Sequence, residues 1–468
     1  MLLIGLVCYV MLQFAVGVWM SRRTATDGDY ILAGRTLGTT LVAFSVFATW
    51  FGAEAIVATT GEVYSNGLAG ALIDPLAYGS AVMISGLVFA AVLWRNGLTT
   101  FADLFARRYS SAIEKLVVIV LLPGSLFWAA AQIRAFGQVL SSSSGMSLAA
   151  AITLAAFLVA AYITIGGLLA DAVTDFLQGL VVIAGLVVLA IVVATHMGGI
   201  GTVLASVEPE RLSVLSGGED SALVKLEHVV VAICGSLVAV ELISRYLGAR
   251  SAEVARIGTI SGACIYLAVG MIPVFLGLAA SVLAASDPAI KSAVADSEQI
   301  VAALAQHFMP TVGYVIFAGA IVSAILSNVH ATLHAPAAQV SHNVIVRLMP
   351  ALNPAQRLVT ARLTAFGLAV ITWGLALTSE RIKELVETAS AFGSAGVFVT
   401  ACFAMFSRIG GPASAAASII AGAGVWAVGQ FVLGLDTPYM LALAIALAAY
   451  LLAAAWEKSA AQENAAKA

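Results

Sequence analysis

Apolar runs of roughly 18 to 30 residues recur along almost the whole chain. They lie at 1–20, 37–60, 66–94, 113–142, 147–166, 169–195, 222–246, 255–285, 312–338, 357–378, 384–406, 411–433 and 437–456. A helix of about 20 residues is long enough to cross the roughly 30 Å hydrocarbon core of a bilayer. Within lipid every backbone N–H and C=O must find its partner inside the chain, which leaves a helical bundle or a closed barrel, and runs this long select the bundle. Charged residues make up only 10% of the sequence against 61% hydrophobic, too few to solvate a soluble domain. The fold class expected is therefore an all-α polytopic membrane protein with about 13 transmembrane helices.

Formal net charge is −3 and the basic residues are dispersed among loops, which excludes a nucleic-acid partner. Cys8, Cys234, Cys264 and Cys402 all fall in apolar segments and read as small buried hydrophobes. No cofactor motif is present, and the six histidines are not spaced as a metal cluster, which argues against a membrane enzyme. Residues 1–20 are apolar from the start, with Arg22 and Arg23 after them, so this run reads as a retained first span rather than a signal peptide. With residue 1 outside, sixteen Lys and Arg fall on the inner side and five on the outer, the asymmetry of a cytoplasmic C-terminus in a cell (inner) membrane. The segments 196–221 and 286–311 read as outer connections carrying short surface helices, and 1–468 as one domain ending in a short polar tail.

One apolar run is polar on one side. The stretch 323–345, SAILSNVHATLHAPAAQVSHNVI, sets Ser323, Ser327, His330, His334 and Ser341 on a single helical face. Polar groups at membrane depth are costly and usually face a cavity or a partner, so this face is expected to line an ion path, with Pro336 kinking the helix below it. Two other runs are interrupted, by Gly52 and Glu54 in 43–62 and by Gly235–Ser236 followed by Glu241 in 231–246. Broken helices at matching places in two halves point to a transporter site at the midplane. Their offset fits inverted repeats over 37–195 and 222–406, with accessory helices at 1–20, 411–433 and 437–456.

The wording of four segments resembles the sodium:solute symporter family: DYILAGR at 29–35, FATWFGAEAIVATTGEVYSNGL at 47–68, GGLLADAVTDFLQ at 166–178, and the 319–345 stretch. ATW at 48–50, Pro75–Tyr78 and FWAAA at 127–131 are similar to the high-affinity choline transporter branch. The resemblance implies a leucine-transporter-like 5+5 inverted repeat and a secondary transporter importing a small organic solute by alternating access. A common sodium site would take carbonyls at Ala48 and Phe51 and side chains at Ser327 and Asn328. Where a second sodium exists, its carboxylate is Asp175, and its remaining ligands fall on His330 and Ala331.

This chain departs from that pattern. Sodium prefers hard oxygen ligands, whereas Ala331 offers none and His330 offers nitrogen. A histidine beside a carboxylate is a ready proton relay, so the expectation is that Asp175 and His330 lie close and that protons replace or join sodium as the driving ion. Trp50, Trp128 and Tyr78 suit a cationic amine held over aromatic faces, and Glu54, Asp74 and Glu241 would supply counter-charge. Arg134 beside these acids would extend the solute class to zwitterions. Val238 and Ala239 stand where the choline branch has proline and tryptophan, which argues against choline itself. The solute and the lipid bilayer are the partners implied. The competing classes are a non-transporting sensory module and a sodium-independent facilitator.

Overall fold

Every apolar run after the first overlaps a helix in the computed structural model, which describes residues 11, 15–16, 18–20, 24–52, 54–215, 221–286, 290–291, 299–378 and 388–467. Most of run 1–20 lies outside the described residues. In chain order the helices are α1 (Thr39–Trp50), α2 (Thr59–Asn66), α3 (Tyr78–Ile84), α4 (Ser111–Ser144), α5 (Leu148–Ile165) and α6 (Leu168–His196). There follow α7 (Ala222–Val238), α8 (Val240–Leu247), α9 (Ala252–Ser286), α10 (Thr311–Gln339), α11 (Pro354–Thr378), α12 (Ser394–Phe406), α13 (Pro412–Val428) and α14 (Pro438–Lys467). Among the described residues, eight helical stretches are long and apolar enough to cross a membrane, nine with the bent α7–α8 pair, and three shorter apolar helices accompany them. The chain is a multi-pass membrane protein.

Both interruptions are real breaks. α1 ends where Phe51 leaves helical geometry (φ −93°, ψ 68°), and the chain resumes as a π-type segment, Glu54–Ala58, that runs into α2. α7 and α8 meet at Ala239 (φ −65°, ψ 119°) with a 41° bend. That second break falls beyond the Gly235–Ser236 pair that suggested it. Gly235 instead serves a close approach: a β-carbon there would lie 2.4 Å from the Ser390 carbonyl oxygen, so packing and not flexibility selects glycine. The two broken spans are tied together before α1, where the Leu37 N–H donates to the Gly248 carbonyl (3.1 Å) and the Arg250 N–H to the Leu37 carbonyl (3.0 Å).

α1 packs on α6 and α9, and α10 packs on α4 and α6, so α1, α6 and α10 share one interior. Pro336 lies inside α10, and a π-type segment, Val340–Ile345, follows it. The two last helices are fastened by carboxylates at their N-termini, where unpaired N–H groups and the helix dipole favour negative charge. Buried Glu227 accepts from the Tyr439 N–H (2.5 Å) and the Met440 N–H (2.8 Å) of α14. Glu457 accepts from the N–H groups of Gly411 (2.6 Å) and Ala413 (2.9 Å) at the start of α13. In the DYILAGR segment, slight burial works against ionisation of Asp29, but bonds from Thr26 and the Ala25 N–H outweigh it and hold the carboxyl below its ordinary value.

The connections at 196–221 and 286–311 carry short helices at Ile200–Ser206, Pro209–Leu212 and Ile300–Phe308. Cys234 is buried, whereas Cys264 is exposed on the bundle's outer surface and Cys402 is half-buried, so the uniform reading of the cysteines as buried fails for α9.

Candidate functional site

The α1 break, Asp74 ahead of α3 and Tyr78 at its start, the α4 face, the α7–α8 break and the segment before α12 surround an open cavity, with about 630 Å³ of empty space when the solvent at its mouth is included. Trp50, Glu54, Asp74, Tyr78, Trp128 and Glu241 all line it. The two indoles meet edge to face with ring centres 4.9 Å apart. Trp128 Nε1 donates to Glu54 Oε1 at 2.9 Å and Gln132 Nε2 to Glu54 Oε2 at 2.5 Å, so both oxygens of Glu54 are occupied. Tyr266 Oη donates to Asp74 Oδ1 at 2.7 Å, while Asp74 Oδ2 and Glu241 Oε1 are buried without hydrogen-bond partners. Tyr78 and Ser390 share a hydroxyl bond of 3.0 Å across the cavity. No Lys, Arg or His is among the lining residues, and Arg134, expected near the acids, is not one of them.

A second polar group is built from α6, α8 and α10. Asp175 accepts from Ser45 Oγ at 2.6 Å and from Ser327 Oγ, joining α1, α6 and α10 through one carboxylate. Asp171, one turn earlier on α6, pairs with Arg245 Nη1, which also lies 3.8 Å from Asp175 Oδ2. His330 Nδ1 lies 2.9 Å from Asp171 Oδ1, at contact distance but off the hydrogen-bond axis. His330 stacks on His334 with centres 5.4 Å apart, and His334 Nε2 approaches the Tyr30 carbonyl oxygen at 2.9 Å. Asp171, Asp175, Arg245, His330 and His334 are all buried.

The polar face of α10 thus turns onto α6 as its periodicity implies, with the Ser323 side chain outside the described residues. The expected pairing of His330 with Asp175 is displaced by one helical turn: the histidine meets Asp171, and Asp175 is occupied by two serines. Arg245, counted above among inner-loop cations, is instead fully buried within α8. Asp171 and Arg245 were missed, though two signals pointed to them. Asp171 and Asp175 are acids one turn apart in an apolar helix, and Arg245 stands one turn after Glu241.

Ala48 and Phe51 sit buried at the end of α1. Asn328 Nδ2 donates to the Thr49 carbonyl at 2.7 Å, while Asn328 Oδ1 and Thr49 Oγ1 lie buried without partners. Ser327 and Asn328, read as neighbours in one ion site, face different groups, the first toward Asp175 and the second toward the α1 terminus. The two regions meet at Gly52, where a β-carbon would stand 2.6 Å from Asn328 Nδ2, 2.7 Å from Glu54 Oε2 and 2.9 Å from Gln132 Oε1.

The family model for the sodium:solute symporter family matches residues 30–422, a span that takes in both breaks and both polar groups. The chain belongs to the sodium:solute symporter family. Among curated relatives of this chain, high-affinity choline transporter 1 of Caenorhabditis elegans is 31% identical over 207 residues, covering 42% of this chain and 36% of that one. The human high affinity choline transporter 1 is 30% identical over 192 residues, covering 39% and 33%. The osmoregulated proline transporter OpuE of Bacillus subtilis is 27% identical over 229 residues, 46% of each. The matches thus span about a third to a half of those relatives' own length. Among solved structures, a substrate-bound outward-open Na+-coupled sialic acid symporter superposes with a TM-score of 0.85 at 17% identity, over 97% of this chain and 98% of that one. Mhp1, a nucleobase-cation-symport-1 family transporter, gives 0.60 at 14% identity over 91% and 94%. The chain therefore has the leucine-transporter-like fold that its motifs implied.

Proposed function

We propose that this chain is a secondary active transporter that carries a small organic solute inward by alternating access, driven by a cation gradient. The solute occupies the cavity beside the α1 break, and the coupling charge resides in the α6–α8–α10 group. The observation that carries this reading is the charge balance of that group: two buried carboxylates, Asp171 and Asp175, face one guanidinium, Arg245. With His330 neutral the group is short of one positive charge. Buried charge without compensation is expensive, so a bound cation stabilises the arrangement that holds it.

A proton is the coupling ion these residues favour. His330 can carry it against Asp171, Arg245 already stands 3.8 Å from Asp175, and Ala331 supplies no ligand. The unpartnered side-chain oxygens of Asn328 and Thr49, beside the end of α1, support a sodium ion at the other position. The internal cation Arg245 also favours a second reading, a facilitator that needs no ion at all. With Arg245 set aside, the basic residues still divide fifteen to five in favour of an outer N-terminus and a cytoplasmic C-terminus.

Uptake into proteoliposomes under separately imposed sodium and proton gradients tests this. Accumulation driven by an inward proton gradient, and lost in His330→Ala, is expected. Strict sodium dependence indifferent to His330→Ala overturns proton coupling, and counterflow without accumulation under either gradient supports the facilitator.

A further inference from the structure

We infer that the solute is an organic dication bearing N–H groups, a short aliphatic diamine or polyamine, and not a quaternary ammonium or a zwitterion. This rests on the reading of the cavity as the solute site. Three carboxylates line one cavity, with no Lys, Arg or His among its described lining residues. A zwitterion would bring its own carboxylate into a space that already holds three and offers no cation to receive it. A cation is what such a site lacks.

The state of each carboxylate decides which cation. Glu54 is saturated by Trp128 and Gln132, so its charge helps set the field while its oxygens are already engaged. Asp74 has one oxygen on Tyr266 and one, Oδ2, with no partner. Glu241 Oε1 is likewise unpartnered, with the Ser125 hydroxyl beside the carboxylate. Both side chains are more than nine-tenths buried. A carboxylate only accepts hydrogen bonds, so each open oxygen asks for a donor. A trimethylammonium group has no N–H and leaves both acceptors bare, while an ammonium carries three donors.

The two open acceptors arise from different parts of the fold. Asp74 lies in the turn ahead of α3, and Glu241 opens α8 after the second break. A solute with one ammonium satisfies one of them and leaves the other buried and unpaired. A solute with two, joined by an apolar chain lying along Trp50 and Trp128, satisfies both, and indole faces favour such cationic ends. Sites built to hydrogen-bond a ligand group discriminate strongly against analogues that lack it.

Titration of purified full-length protein with putrescine, cadaverine, butylamine, choline and proline tests the inference. Diamines are expected to bind about ten- to a hundredfold more tightly than butylamine, with choline and proline weaker still. Asp74→Asn and Glu241→Gln should each bring diamine affinity down to that of the monoamine. Choline or proline matching the diamines, no diamine binding, or diamine preference surviving both substitutions overturns the inference. Should a variant fail to fold, competition among the five solutes on the unaltered protein decides alone. Counterflow with the same solutes separates this inference from the transporter reading. Transport of choline or proline alone removes the dication and keeps the transporter, whereas tight diamine binding without counterflow of any solute does the reverse.

Discussion

Two groups of buried carboxylates lie on either side of the α1 break and are completed in different ways. Between α6 and α8, Asp171 and Asp175 have Arg245 as an internal counter-charge, and two serine hydroxyls bond Asp175. In the cavity, Glu54, Asp74 and Glu241 have neutral donors only, and two oxygens have none. Desolvating a charge costs several kcal/mol unless it is paired, so the first group is compensated in part by the fold, short of one positive charge, and the second must be compensated wholly from outside. Compensation from within holds helices together. Compensation from outside makes a site that responds to what enters it.

The largest expected effect follows from breaking the internal pair. Arg245→Met strands two carboxylates in the interior and should destabilise the protein by about 3–5 kcal/mol, seen as a lowered thermal midpoint in detergent. Removing charge from both partners, as in Arg245→Met with Asp171→Leu, should recover most of that loss. Full stability in the single variant would dissolve the contrast between the two groups. Gly52→Ala comes next: its methyl must displace Asn328, Glu54 or Gln132 from set hydrogen bonds, at about 1–3 kcal/mol and with loss of uptake.

Glu241→Gln should act with the opposite sign to Arg245→Met. Without solute it removes an uncompensated charge and raises the thermal midpoint by the equivalent of about 1 kcal/mol, while solute no longer adds protection. A lowered midpoint would mean that the cavity acids, too, are paired inside the fold. The smallest effect is expected from Trp128→Phe, which keeps the aromatic face and loses only the bond to Glu54. Solute affinity measured by titration should fall about fivefold, equivalent to about 1 kcal/mol.

The helical bundle could be read from the sequence because the bilayer allows few alternatives: long apolar runs must be helices, and polar interruptions within them must face inward. Glycine and glutamate in 43–62 marked the first break for that reason. The second was marked a few residues early, because Gly235 signals close packing against Ser390 as readily as a bend. Trp50, Glu54, Asp74, Tyr78, Trp128 and Glu241 come from four parts of the chain, and their residue types alone linked them to one cavity. The α6–α8–α10 group was less legible. Arg245 sits close to the loop cation Arg250, its spacing of one turn from Glu241 is a weak sign of burial, and only contact across to α6 shows which of two acids meets His330. Pairing between helices is tertiary information, and helical periodicity reports the face and not the partner.

Gly52 stands against both groups, since Asn328 Nδ2, Glu54 Oε2 and Gln132 Oε1 all crowd the one place that a β-carbon there would take. On the proposed reading solute and ion must sense each other, and long relays lose signal at each loosely packed step. Here the relay is about one methyl group thick. On that reading a shift of Glu54 toward Gly52 crowds Asn328, whose neighbour Ser327 bonds Asp175, so the coupling needs no moving lever between the two groups.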